Sequence, residues 1–384
     1  MKLTLLHIVG TPGIGGIQNF LLTLSNYDKR LGLNRNILCL YRHNKNLRRR
    51  YLDKNIKVFY CGMVLEYIGL NPEWIWKKIR ILVGFLFFPF KYYKTIIISK
   101  TDIVICHEPV NLLVQLLVCK IIGIPFMIHM HKEFDINSSS KFLRYLFKHS
   151  IFISDSKILL DNNLKLIKDQ YKSFIGKVHI IPATSNIEDI VKCTNLRNNL
   201  LSGDVVEIGT VGRMTWEKNF EQIIQIAVKL NKNKNRRFHI TIIGDGPQYS
   251  KIMDLIKINN LSKMVTLVGE KNFEQIIDFY KKFDIYIQTS VSEGSPLTIK
   301  EAMAAYLPVI SSPISGIREI INDKFNGFLV KNDANSFVES ILKVVNMDKE
   351  DLICLRLNAQ KSVIDKYSAE KISVKYAEVC RKYF

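Results

Sequence analysis

The stretch Ser290-Val-Ser-Glu-Gly-Ser-Pro-Leu-Thr-Ile-Lys-Glu-Ala-Met-Ala305, with Pro308-Val-Ile-Ser-Ser312 and Gly316 behind it, decides how the rest of the chain is read. Ser295 before Pro296 is a helix-start pattern: a hydroxyl at the cap, then the imino acid suited to the first helical position. Such a start leaves the amides of Leu297 and Thr298 without intrahelical partners, and the helix dipole adds positive potential at the same end. The result is an anion site, typically for phosphate. Glu293 lies just before this helix and Glu301 in its second turn, so two carboxylates flank one phosphate pocket. Carboxylates accept hydrogen bonds from hydroxyls, which suits a sugar or a ribose better than phosphate alone.

The Glu-x7-Glu arrangement follows Asp284-Ile-Tyr-Ile-Gln-Thr-Ser290 and leads into Glu301-Ala-Met-Ala and Pro308-Val-Ile. Together these resemble the donor-site signature of the retaining family 4 glycosyltransferases (glycosyl transferases group 1), which have the GT-B fold. The bland reading is an amphipathic helix with two solvated glutamates; the flanking Glu-Gly-Ser-Pro and Glu-Ala-Met-Ala weigh against it. The resemblance implies an α/β chain of two Rossmann-like domains facing each other across a cleft. Residues 1–185 would bind the acceptor, 186–365 would bind the nucleotide-sugar donor, and the helix within 366–384 would pack back on the first domain.

Composition is compatible with this. The 384 residues allow two or three domains, and 47% hydrophobic content argues against a disordered chain. Lys and Arg number 55 against 35 Asp and Glu, a net charge of +20 that calls for an anionic partner: nucleotide, lipid head groups or nucleic acid. The seven cysteines are scattered, with no Cys-x2-Cys pair, and read as reduced thiols of a cytosolic protein. The apolar run after Met1-Lys2 is too short for a signal peptide and reads as a first strand.

Leu3–Val9 is that strand, and it empties into Gly10-Thr-Pro-Gly-Ile-Gly-Gly16 before an amphipathic helix. Glycine lets backbone amides approach an anion, so one reading is a dinucleotide site. The next strand ends in Arg42-His43, where NAD binding would want an acid on the ribose. By resemblance the loop is instead the glycine pair of an acceptor domain, with Gly15 and Gly16 directed at the donor phosphates. Residues 42–50 are a basic cluster, either a solvated face or an attraction for acidic lipid. Within 74–94, the apolar core Ile81–Phe90 is half the roughly 20 residues a spanning helix needs. Its Trp, Tyr and Lys flanks fit a helix lying in a membrane interface, and a core helix fits equally.

Asp102-Ile-Val-Ile-Cys-His107 and Ile124-Pro-Phe-Met-Ile-His-Met-His131 read as buried strands, the second ending at the carboxyl edge where open α/β sheets bind ligands. The resemblance matches His131 to a histidine that contacts the transferred sugar. His129 is read as pointing the other way, a core histidine. Ser156 is the expected cap of the helix that follows Ile151–Ser154. After the strand at 177–182 the chain has Ala183-Thr-Ser-Asn186 where the family usually has Asn-Gly, so a ligand role for this loop is in doubt.

The second half starts over with Val205–Gly212 and the loop Arg213-Met-Thr-Trp-Glu-Lys-Asn219. Two cations at a sheet's carboxyl edge can hold a diphosphate and neutralise a leaving group, and the resemblance implies this for Arg213 and Lys218. Asp245, in Gly244-Asp-Gly246, is expected to cap the following helix. No Asp-x-Asp pair offers itself to bridge a divalent cation and a diphosphate, so no metal or other cofactor is expected and the cations take that electrostatic task.

The resemblance therefore implies a metal-independent, retaining hexosyltransferase that moves a sugar from a nucleotide donor, most often a UDP-sugar, to a hydroxyl of a saccharide or lipid-linked acceptor. Bacterial surface polysaccharide assembly is the implied setting. Arg213, Lys218, Gly15, Gly16, Gly294, Ser295, Leu297, Thr298 and Glu301 would hold the donor, and Glu293 with His131 would act at the transferred sugar. A cytoplasmic chain, peripheral on an anionic membrane and without nucleic acid, is expected. An epimerase of the same fold and a non-catalytic scaffold are the rival readings.

Overall fold

The computed structural model describes residues 2–10, 16–41, 45–63, 74–107, 112–131, 149–157, 159–161, 177–197, 201 and 203–384. Gly15, with Arg42 and His43 of the basic cluster, lies outside them. The chain divides into two compact units, Met1–Ala183 with Glu370–Phe384, and Thr184–Ala369.

In the first unit seven parallel strands run β1 (Leu3–Val9), β2 (Leu33–Tyr41), β3 (Lys57–Met63), β4 (Ile103–Cys106), β5 (Phe126–Met130), β6 (Ile151–Ser154) and β7 (Val178–Ile180), in the spatial order 3-2-1-4-5-6-7. β1, β4, β5 and β6 are nearly all buried, as strands covered on both faces must be, and this is why they read as continuous apolar runs. Helices α1 (Gly16–Ser25), α2 (Asp28–Leu31), α3 (Lys45–Asp53), α4 (Trp74–Ser99) and α5 (Leu112–Ile122) intervene. Phe88, Tyr92 and Ile96 of α4 and Leu112, Leu116 and Cys119 of α5 pack on Leu6, Ile8, Val104 and Ile128 of one sheet face. Removing each such side chain from water contributes about 1.5–3 kcal/mol. The segment at 74–94 is thus part of a 26-residue helix that does pack on the core, yet Phe87, Phe90, Tyr93, Ile97 and Ile98 on its other side are exposed. Leu113, Leu117 and Ile121, one exposed stripe of α5, are also exposed. No helix among the described residues is long and apolar enough to cross a membrane.

The second unit holds six parallel strands, β8 (Val205–Val211), β9 (Arg237–Ile243), β10 (Val265–Leu267), β11 (Ile285–Gln288), β12 (Val309–Ser311) and β13 (Phe328–Leu329), in the order 10-9-8-11-12-13. After α6 (Ile187–Cys193), helices α7 (Phe220–Leu230), α8 (Tyr249–Ile258), α9 (Phe273–Tyr280), α10 (Leu297–Ala304), α11 (Ser315–Arg318), α12 (Ala334–Val345) and α13 (Lys349–Tyr367) cover the two faces. α7, α8 and α12 pack on Ile208, Ile240 and Ile287, while α6, α10 and α13 pack on Val211, Tyr286 and Val309. The final helix, α14 (Ala369–Lys382), belongs from Glu370 onward to the first unit, where Tyr376, Ala377 and Cys380 are buried.

Three local expectations change. The N-cap of α10 is Pro296, not Ser295, and it makes no side-chain capping bond because proline has none to offer. Asp245 does not cap α8: its Oδ1 accepts from the adjacent Gly246 amide at 2.6 Å, and the N-cap is Gln248. His129 does not point away from His131, because residues two apart on a strand share a face. Ser156 does cap, accepting from the Leu159 amide at 3.0 Å.

Candidate active site

Parallel strands put their carboxyl ends on one edge, and the loops after β8 and β11 meet there. The loop after β8 carries a short 3-10 turn, Trp216–Lys218, and the loop after β11 carries Glu293. Lys218 Nζ donates to Glu293 Oε1, which also accepts from Gln288 Nε2 at 2.8 Å and Ser290 Oγ at 2.9 Å. Three donors on one carboxylate oxygen fix its position, and the pair is mostly buried, with side-chain exposures of 23% for Lys218 and 11% for Glu293.

The loop is tied down along its length. The Val291 amide donates to Glu217 O at 2.8 Å, Thr289 Oγ1 donates to Asn219 O at 2.9 Å, and Asn332 Nδ2 donates to Thr289 O at 3.0 Å. Ser312 Oγ donates to Ser290 O. Gly316 lies so close to the loop that a Cβ there would fall 2.0 Å from Gly294 O and 2.7 Å from Glu293 O, so only glycine fits.

α10 begins beside this loop with Pro296, so its first-turn amides at Leu297 and Thr298 have no capping side chain. Ser295 Oγ accepts from Lys300 Nζ at 2.6 Å, and Thr298 Oγ1 donates to Gln288 Oε1 at 3.0 Å, which links the helix to the donor set of Glu293. Glu301, one turn on, is buried, and its Oε2 accepts from Tyr280 Oη at 3.0 Å. Burial pushes its carboxyl above the ordinary range, against the hydrogen bond from Tyr280 that lowers it. Arg213 is exposed in the β8 loop and forms no ion pair among the described residues. Trp216 beside it is 70% exposed, an apolar ring that needs a reason to face water.

The second unit thus brings Lys218, Glu293, Gly294, Ser295, Leu297 and Thr298 into one connected neighbourhood. Gln288 and Ser290 are the residues that sequence reasoning passed over. Their signal was present as polar residues at the end of an apolar strand, but their shared partner, Glu293, is visible only once the chain is folded.

His131 belongs to the first unit, one residue past β5, and is partly buried. Its Nδ1 meets Asp155 Oδ2 at 2.8 Å and its Nε2 meets His107 Nδ1 at 2.8 Å, while His129 Nε2 meets Asp155 Oδ1 at 3.0 Å. The His129 and His131 rings lie 4.1 Å apart. Burial lowers the His107 imidazole well below its usual value and that of His129 to about 4, while the imidazoles on either side hold Asp155 far below the ordinary carboxylate range. One donor atom from each of His107, His129 and His131 lies within 4.8 Å of the others, a spacing that suits a cation, but the hydrogen bonds above already engage these rings. Gly16 opens α1 and is exposed.

Comparison with known proteins gives the same architecture. Residues 193–361 match the family described as glycosyl transferases group 1. The glycosyltransferase of Rickettsia africae ESF-5 superposes with a TM-score of 0.77 at 21% identity, over 100% of this chain and 98% of that one. Anabaena HepE in complex with UDP-glucose superposes with a TM-score of 0.76 at 18% identity, over 99% and 100%. Two all-parallel Rossmann-like sheets with these neighbours define the GT-B fold. Over 391 aligned positions the chain is 25% identical to the UDP-Gal:alpha-D-GlcNAc-diphosphoundecaprenol alpha-1,3-galactosyltransferase of Escherichia coli, covering 96% of this chain and 94% of that protein.

Proposed function

We propose that this glycosyltransferase moves a sugar, with retained anomeric configuration, from a UDP-sugar to a hydroxyl of a lipid-linked saccharide during assembly of a bacterial surface polysaccharide. The observation that carries the donor reading is the Lys218–Glu293 pair beside the uncapped first turn of α10. The problem in such a transfer is the negative charge that grows on the nucleoside diphosphate as the glycosidic bond breaks. Arg213, Lys218 and the amides of Leu297 and Thr298 supply preorganised positive charge for it, with Gly15 and Gly16 assigned to the same phosphates by resemblance. These groups replace a divalent cation, so transfer is expected to survive a chelator.

Glu293, aimed by three donors on one oxygen, is assigned to hydroxyls of the transferred sugar and Glu301 to the ribose. His131 keeps the role its resemblance implies, at that same sugar. No carboxylate among the described residues of the site has the environment of a covalent nucleophile, so a front-face displacement, with the leaving phosphate assisting removal of the acceptor proton, fits the residues better than a paired-acid scheme. The relative of E. coli, named for a UDP-galactose donor and a diphosphoundecaprenol acceptor, supports the substrate classes. The exposed apolar side chains of α4 and α5, with the exposed Lys91, Lys94, Lys100 and Lys120 among them, support docking on an anionic bilayer where such an acceptor resides.

The deciding experiment is transfer and donor hydrolysis by Lys218→Ala and Glu301→Ala with a panel of nucleotide sugars. Loss of turnover in folded protein is expected, with a lowered melting temperature for Glu301→Ala because its buried carboxylate holds Tyr280; full activity in both variants removes the site. Appearance of a free sugar epimer without acceptor would instead make the chain an epimerase.

A further inference from the structure

One face of the first sheet carries a string of hydrogen bonds that ends on His131. Strand register builds it: Arg35 lies two residues from the Ile37 that pairs with His7, and His7 pairs with Ile105, two residues before His107. Ile105 pairs with Met127, from which His129 and His131 follow at even spacing, and His129 pairs with Ile153, two before Asp155. Side chains two apart point the same way, so all six polar groups share one face.

The contacts are continuous. Asp28 Oδ1 accepts from Arg35 Nε at 2.8 Å, and Arg35 Nη1 meets His7 Nε2 at 2.9 Å. His7 Nδ1 meets His107 Nε2 at 2.9 Å, His107 Nδ1 meets His131 Nε2 at 2.8 Å, and His131 Nδ1 meets Asp155 Oδ2 at 2.8 Å.

Both ends dictate the direction of every bond. A guanidinium only donates, so His7 Nε2 must accept and the proton of His7 sits on Nδ1. That proton makes His107 Nε2 an acceptor, which puts the His107 proton on Nδ1 and makes His131 Nε2 an acceptor in turn. The remaining proton of His131, on Nδ1, is the one the Asp155 carboxylate accepts. A single tautomer, Nδ1–H, repeated three times, satisfies all the contacts. An Nε2–H on any of the three rings sets two protons face to face in one of these N···N contacts.

We propose that Arg35, His7, His107 and Asp155 are positioning residues that hold His131 as a neutral imidazole with its proton on Nδ1, both ring nitrogens being committed inside the protein. The bearing of this on transfer rests on the assignment of His131 to the transferred sugar; the tautomer does not. His131 then offers a ligand a fixed surface and no proton. To act as acid or base through Nε2 it would have to break the 2.8 Å contact with His107. Charging it would set Nε2–H against His107 Nδ1–H, and a tautomer shift passed back along the string meets Arg35, which cannot accept.

Among the described residues, the other titratable groups facing the string are His129, Asp28, Tyr376 and Cys380. The Tyr376 ring lies 6.1 Å from that of His7 and 5.3 Å from Arg35 Cζ, and burial holds the Tyr376 and Cys380 side chains in their neutral forms. Arg35 is therefore the single fixed cation among them, and it stands at the far end.

The test is nitrogen-15 NMR of the full chain with labelled histidine, at pH 7.5 and without ligand. The expected spectrum has His7, His107 and His131 protonated on Nδ1 and bare on Nε2, the reverse of the form that dominates for a free side chain, and His129 protonated on Nε2. Protonated Nε2 on His131, as neutral tautomer or imidazolium, overturns the proposal. In His7→Phe the string is cut from Arg35 and His107 is free to turn its tautomer, so the His131 spectrum at pH 7.5 is expected to lose the single Nδ1–H pattern. An unchanged His131 spectrum in that variant also overturns it. Activity of His131→Ala tests the separate assignment to the sugar, and its result leaves the tautomer reading untouched.

Discussion

At the scale of single residues, the proposed donor site depends on how little freedom Glu293 has. Its Oε1 receives Lys218, Gln288 and Ser290, and Gln288 is itself held through Oε1 by Thr298. A carboxylate so placed is pre-organised for the contacts with a sugar proposed for it, rather than acquiring them on binding. Gln288→Ala removes one donor to Glu293 and the acceptor of Thr298, while leaving Lys218 and Arg213 in place. A fall in turnover of roughly tenfold to a hundredfold, with a smaller change in UDP affinity, is expected from loss of positioning alone. Steady-state kinetics beside calorimetric UDP titration would show it, and equal losses in both would mean that Gln288 acts on the nucleotide instead. Legibility differed by residue. Glu293, Glu301, Arg213 and Lys218 carry charge in a recognisable spacing and could be named from the chain. Gln288 and Ser290 are ordinary strand-end polar residues until the loop after β11 folds back and gives them one acceptor.

At the scale of elements, α11 decides where the loop before α10 sits. Gly316 approaches the Gly294 carbonyl more closely than any side chain permits, so Gly316→Ala must push α11 and the 293–295 loop apart. A loss of about 1–3 kcal/mol in stability is expected, of the order seen for overpacking, together with weaker donor binding. Denaturant unfolding and UDP titration of the variant check the two halves, and unaltered donor affinity would show that the loop's position is not critical. The exposed sides of α4 and α5 set a second test. Phe90 and Ile98 are 66% and 60% exposed, and Phe90→Asp with Ile98→Asp should abolish sedimentation with anionic vesicles at low salt without changing the melting temperature. Wild-type protein that stays in the supernatant in the same assay would dismiss the membrane reading. The sequence left 74–94 open between core helix and interface helix because its apolar residues occur on every side. Packing shows that the described half of α4 is a core helix along Phe88, Tyr92 and Ile96 and also has an apolar exposed side.

At the scale of the whole molecule, buried neutral histidines couple the fold to pH. Burial lowers His7 and His107 well below the ordinary value, and His129 to about 4. An unfolded chain titrates these groups near 6.5, so below that pH the unfolded state binds more protons than the native one and stability falls as pH falls. Each histidine costs the fold up to about 1.4 kcal/mol per pH unit in this window. Glu301 and Asp28, whose carboxyls are raised by burial, act in the opposite sense, but nearer the carboxylate range. The melting temperature is therefore expected to drop between pH 7.5 and 5, and a flat or rising curve would contradict neutral burial of this cluster. The sequence by itself determined the alternation of apolar strands with helices in both halves, and it named the charged residues of the candidate site, because strand burial is a local property and those residues fall in recognisable motifs. It left the partners of His131 undetermined, since Arg35, His7, His107 and Asp155 come together only through the parallel register of β2, β1, β4, β5 and β6. That register is a relation between residues up to 120 positions apart, from Arg35 to Asp155. The burial of Glu301 and the uncapped turn at Pro296 were decided in the same way, by what packs against them rather than by what precedes them in the chain.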